Sequence, residues 1–95
     1  MTANELTKQV IIYCTLQGHY VFRITNVPAK HHQRVVHKGV ADILGLTKSG
    51  VALAIEIKID DNQTVAQFNF EAAYKKRGGI YILCRKLEDV TDRLK

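Results

Sequence analysis

Tryptophan is absent, proline occurs once, cysteine twice, and aromatic residues make up 7% of the 95 residues. With Pro28 isolated and no Gly-, Ser- or Pro-rich tract, nothing marks a linker, a repeat or a low-complexity segment. Cys14 and Cys84 each lie inside an apolar run, without the dense spacing of a disulfide scaffold or the paired spacing of a zinc site, and read as buried, inert thiols. No apolar stretch approaches the ~20 residues that span a bilayer. Met1 to Lys8 has no basic region leading into an apolar one, so no signal peptide is read and a cytoplasmic protein is the expectation.

What is present is an ordinary globular composition, 46% apolar, in a chain of 95 residues. The reading is therefore one domain over 1–95. A chain of that size buries about 60 to 65% of its unfolded surface, which leaves no residues for a lid or a separate specificity domain. Lysine and arginine number 14 against 9 acids, a net charge of +5, which favours an anionic partner, nucleic acid first. The most basic stretch runs from Lys30 to Lys38 and holds Lys30, His31, His32, Arg34, His37 and Lys38 with no acid. Its histidines lack the helical spacing and clustered cysteines of a zinc site, so they extend a cationic, phosphate-binding segment or an ordinary solvated loop.

Leu6, Val10, Tyr13, Cys14 and Gln17 fall at helical spacing behind a Thr2-Ala3-Asn4-Glu5 capping box, predicting a helix from Thr2 to Gln17 that stops at Gly18. His19 to Thr25 reads as a strand. Ala41 to Thr47 and Val51 to Ile59 read as a hairpin around Lys48-Ser49-Gly50. Thr64-Val65-Ala66-Gln67 opens a second helix that reaches Arg77 and ends at Gly78-Gly79. Gly79 to Arg85 is a buried strand, and Leu87, Val90 and Leu94 mark a terminal helix. The predicted fold is α/β, a mixed sheet flanked by helices in the order α-β-β-β-α-β-α. Phe68, Phe70 and Tyr74 are expected to pack from the second helix into the core.

The hairpin loop sets a register. Thr47 faces Val51, and counting outward brings Leu46 to Ala52, Leu44 to Ala54 and Asp42 to Glu56. Two carboxylates thus oppose one another where Cβ atoms approach within about 5 Å and like charges repel. Lys58 shares their face, while Ile43, Leu53, Ile55 and Ile57 point to the opposite, buried one. Either Asp42 and Glu56 are solvated surface acids, with Glu56 paired to Lys58, or a divalent cation lies between them. Ile55 and Ile57 beside Glu56 favour the second, because charge is rarely set in a buried strand without a partner.

Gly39-Val40-Ala41-Asp42-Ile43-Leu44-Gly45, then Leu53-Ala54-Ile55-Glu56-Ile57-Lys58, then Gln67 resemble the PD-(D/E)xK nuclease core. In particular the chain is similar to the virus-type replication-repair nuclease (VRR-Nuc) domain. The likeness extends to Glu5 on the first helix, Phe22-Arg23 and Asn26, and Gly78-Gly79 before the last strand; Ala41 stands where that family has proline.

The resemblance implies a restriction-endonuclease-like fold and metal-dependent hydrolysis of phosphodiester bonds. Carried over, Asp42, Glu56 and the Ile57 carbonyl would hold Mg²⁺ or Mn²⁺. Lys58 would act as a base or an electrostatic clamp, and Glu5 and Gln67 would line the site. Glu5 and Gln67 also occupy the third position of their capping boxes, so each has a second account in closing its own helix. Arg23 would join the basic stretch on DNA. The resemblance further implies a homodimer acting on branched DNA such as four-way junctions. A flap, nicking or restriction-type nuclease of the same core, and a non-catalytic nucleic-acid-binding module, are the alternatives.

Overall fold

The structure, a computed structural model, describes residues 1–24 and 37–95. Lys30, His31, His32 and Arg34 of the basic stretch lie outside the described residues. The elements are α1 (Ala3–Leu16), β1 (Tyr20–Arg23), β2 (Ile43–Leu46), β3 (Ala52–Ile57), α2 (Val65–Lys76), β4 (Ile80–Cys84) and α3 (Glu88–Thr91). This is the order expected from the sequence, and the strands form one mixed sheet, β1-β2-β3-β4. β1, β2 and β3 run antiparallel in succession, whereas α2 carries the chain across so that β4 lies parallel to β3.

Both long helices begin on the capping boxes the sequence announces. Thr2 Oγ1 accepts from the Glu5 N–H at 3.1 Å while Glu5 Oε1 accepts from the Thr2 N–H at 3.0 Å. Thr64 and Gln67 repeat the exchange at 3.2 and 2.8 Å. The hairpin turn also forms as read: the Gly50 N–H reaches the Thr47 carbonyl at 2.8 Å, and Gly50 adopts φ +91°, where a side chain would be strained.

The elements are shorter than expected where local pairing changes hands. The hairpin strands stop at Ile43 and Ile57, where the Ile57 N–H is taken by the Asp42 carboxylate in place of a backbone carbonyl. The terminal helix is confined to Glu88–Thr91. Leu94 beyond it is nevertheless buried, since Tyr13 Oη on α1 donates to the Leu94 carbonyl at 2.9 Å.

Two apolar clusters sandwich the sheet. On one face Leu6, Val10 and Cys14 of α1, with Val90 and Leu94, pack on Ile43, Leu53, Ile55, Ile57, Ile82 and Cys84. On the other, Phe70 and Tyr74 of α2 pack on Ala41, Ala54 and Tyr81. Phe68 departs from expectation and is 56% exposed, because it lies two residues, roughly 200° around the helix, from the inward Phe70. Both cysteines are buried and free, and burial pushes each thiol up to about 11, as inert thiols require. Among the described residues no helix is long and apolar enough to cross a membrane.

Gly45 in β2 is the tightest point of the sheet, since a Cβ there would lie 2.0 Å from the Tyr20 carbonyl oxygen. A backbone atom cannot swing aside as a side chain can. Gly45→Ala is therefore expected to destabilise the fold by about 2 kcal/mol or more in urea unfolding. A loss below about 0.5 kcal/mol would contradict the close approach of β1 and β2.

Candidate metal centre

The β2–β3 register is Ile43 to Ile55, Leu44 to Ala54, Gly45 to Leu53 and Leu46 to Ala52. One step beyond β2 it sets Asp42 opposite Glu56, as the count from the turn predicts. The Ile57 N–H donates to Asp42 Oδ2 at 2.8 Å and the Lys58 N–H to the Cys84 carbonyl at 3.0 Å, so alternate peptide groups of β3 face β2 and β4. By that alternation Asp42 and Glu56 form the closer, non-hydrogen-bonded kind of antiparallel pair. The Ile57 peptide group meets Asp42 in the gap left where β2 ends.

Glu56 is 3% exposed. Ile55 and Ile57 hold β3 in the core, Leu83 of β4 flanks Glu56 across the parallel pair, and the α2 layer covers this half of the face. Its Oε1 is buried with no hydrogen-bond partner. Burial first, and then the adjacent Asp42 carboxyl, push Glu56 up to about 8, against a smaller opposing pull from Lys58. The alternative of a solvated Glu56–Lys58 surface pair is thereby removed. Lys58, with 13% of its side chain exposed, instead places Nζ 3.5 Å from Asp61 Oδ2.

Other residues singled out from the sequence gather around the same end of the sheet to different degrees. Arg23 Nη1 donates to Asn4 Oδ1 at 2.6 Å, which brings the start of α1 to the end of β1 beside Asp42. Glu5 is in that neighbourhood, but its carboxylate closes the α1 cap, and the Thr2 N–H and hydroxyl hold it below the usual carboxylate range. Gln67 is likewise held by Thr64 at the start of α2. Gly39, three residues before Asp42, lies so close that a Cβ would stand 2.2 Å from the Ala66 carbonyl oxygen and 2.8 Å from the Gln67 nitrogen. Arg23 pairs with Ile43 and so points to the α1 face, away from the side that bears the acids. His37 and Lys38 are exposed. Ala41 is fully buried against Ala54 and Tyr81.

Two features escape the sequence reading. Asp61 is the partner of Lys58, and its i,i+3 spacing was the available signal. Tyr81 donates no such hint: parallel pairing brings it beside Ala54, where Gln63 Nε2 bonds both its hydroxyl at 3.1 Å and Glu71 Oε1 at 3.2 Å.

The donor chemistry fits a small hard cation. Among the described residues no group of three or more His, Cys, Asp or Glu side chains converges. The set at hand is two carboxylates, one with an unsatisfied buried oxygen, and a backbone carbonyl. Mg²⁺ is commonly held by one or two carboxylates completed by water and substrate phosphate.

Because Glu56 in the fold titrates near 8, above the unfolded carboxyl range, its neutral form stabilises the protein at acid pH. That stabilisation is complete below about pH 4.3 and is lost as pH rises through 8. Glu56→Gln, measured in EDTA, is expected to raise Tm at pH 9 by about 5 °C or more relative to its effect at pH 5. Equal shifts at both pH values would contradict burial of an ionisable carboxyl. Comparison of the chain with family models, with curated proteins and with solved structures finds no match.

Proposed function

We propose that the protein is a metal-dependent endodeoxyribonuclease of the PD-(D/E)xK kind, related to VRR-Nuc domains, that hydrolyses phosphodiester bonds in branched DNA. The observation that carries this reading is the opposed Asp42–Glu56 pair, with its unpaired buried oxygen, on the face that also bears Lys58. Ionised together, as metal ligands must be, two such carboxylates would repel without a counter-charge, and Lys58 is already engaged with Asp61.

Asp42 and Glu56 would hold Mg²⁺ or Mn²⁺, with the Ile57 carbonyl on the same edge. Bound there, the ion would supply charge stabilisation at the phosphate and a more acidic water. The Ile57 N–H holds Asp42 Oδ2 and so restrains that carboxylate. Asp61 restrains the Lys58 ammonium beside the acids, where it meets charge developing on the phosphate. Glu5 and Gln67 reach the reaction only by leaving their caps, so in this reading they act on water around the site. His37 and Lys38 bring cations to the segment entering Asp42, and Lys30, His31, His32 and Arg34 would continue that cationic path along the DNA backbone. A two-fold dimer would place two such sites on the two strands of a four-way junction.

The test is cleavage of a labelled four-way junction, a flap and a linear duplex, in Mg²⁺ or EDTA. Paired, Mg²⁺-dependent incisions are expected on the junction. Lys58→Ala should lower the rate by about 100-fold or more while leaving DNA affinity within about threefold. Absence of metal-dependent cutting on all three substrates would overturn the reading, and a single cut on the flap alone would assign it to flap cleavage instead.

A further inference from the structure

The sheet face that bears Asp42 and Glu56 is covered by α2 over β3 and β4, but among the described residues nothing packs over its β1 and β2 half. Cross-strand rows order that half: Tyr20, Leu46 and Ala52 in one row, Phe22, Leu44 and Ala54 in the next. The third row is the acid pair itself. Tyr20 is 70% exposed, Phe22 45% and Leu46 47%, and the two rings stand 6.0 Å apart between centroids. Solvent-facing aromatics two apart on one strand are costly to leave bare.

The first row runs directly into a groove. Ala52 forms part of a cavity of about 720 Å³ against α2, which Phe70 and Tyr74 line and to which His37, Lys38 and Arg77 bring the ionisable groups. No acid lines it. Flat apolar rings next to cations, without an acid, complement a chain of flat bases joined by phosphates. A second copy of this protein would instead bring a net charge of +5 and the same cations against themselves.

We infer that this open half-face seats unpaired nucleotides of DNA, with Tyr20 and Phe22 stacking on bases and Arg77 and Lys38 meeting the phosphates. The relation to cutting rests on the nuclease reading above. Phe22 stands one pleat, about 7 Å, from the row of Asp42 and Glu56, so nucleotides stacked there lead straight to the acids. Flaps and other branches with single-stranded arms then have a physical basis for recognition, because those arms supply unpaired bases that a regular duplex does not.

The experiment is fluorescence anisotropy in EDTA, which reads binding without cleavage. The probes are a labelled oligo-thymidine of about 12 nucleotides and a duplex of the same length. The variants are Tyr20→Ser, Tyr20→Ser with Phe22→Ser, and Arg77→Ala, each first checked for a wild-type melting transition. If the double variant fails to fold, Tyr20→Ser, at the more exposed ring, carries the test. Loss of each ring is expected to weaken oligo-thymidine binding by about 5-fold or more, and duplex binding by less than about 3-fold. Arg77→Ala should weaken binding and lower the salt-dependence slope by about one unit.

Unchanged oligonucleotide affinity in folded ring variants overturns the inference. So does a sedimentation result in which the double variant turns a dimer into a monomer while keeping its affinity, because the face is then a protein interface. A wild-type protein that binds the oligonucleotide through these rings but never cuts would defeat the nuclease reading and leave this one standing. Cutting by the wild type, with ring variants that bind normally, does the reverse.

Discussion

Two carboxylates pressed together on an apolar sheet face are the constraint on which the rest of the layout depends. Desolvation alone raises the cost of ionising Glu56, and Asp42 across the strand pair raises it again. Such a pair persists only if the backbone beneath it is not free to relax. The cluster on the opposite face provides that, with Ile43, Leu53 and Ile55 fully buried under α1 and locking the two strands in register. A one-residue slip would exchange the acids for isoleucines on both faces at once.

The surroundings of the pair divide their work between backbone and side chains. The Ile57 N–H holds one Asp42 oxygen, and Asp61 holds Lys58, yet Glu56 Oε1 is left with no donor. Gln63 is engaged elsewhere, its Nε2 donating to the Tyr81 hydroxyl and to Glu71. In the proposed reading, the open valence of Glu56 Oε1 is where the cation would bind.

Much of this was legible in the sequence, for local reasons. A three-residue turn with glycine at its last position leaves one register, so the opposition of Asp42 and Glu56 follows by counting. The isoleucines beside Glu56 told of burial, and both capping boxes were spelled out in full. What was not legible depends on distant pairing. Tyr81 meets Ala54 only because β4 returns parallel to β3, and Phe68 differs from Phe70 only in which side of α2 meets the sheet. Leu94 looks helical by spacing but is buried by a hydrogen bond from Tyr13, far away in the chain. Glu5 and Gln67 were ambiguous for another reason: a cap and a catalytic periphery ask for the same residue types at the same place, and the geometry found is that of the cap.

The α1-side cluster draws its first members, Leu6 and Val10, from one end of the chain and its last, Val90 and Leu94, from the other. During synthesis the hairpin can form as soon as Ile57 has emerged, but the greasy side of that hairpin has no complete cover until Leu94 follows. Until residues 90–94 are in place, the hairpin presents Ile43, Leu53 and Ile55 without that part of their cover. The hairpin alone is therefore not a folding unit: its apolar side closes only when the segments at 6–14 and 90–94 dock on it together.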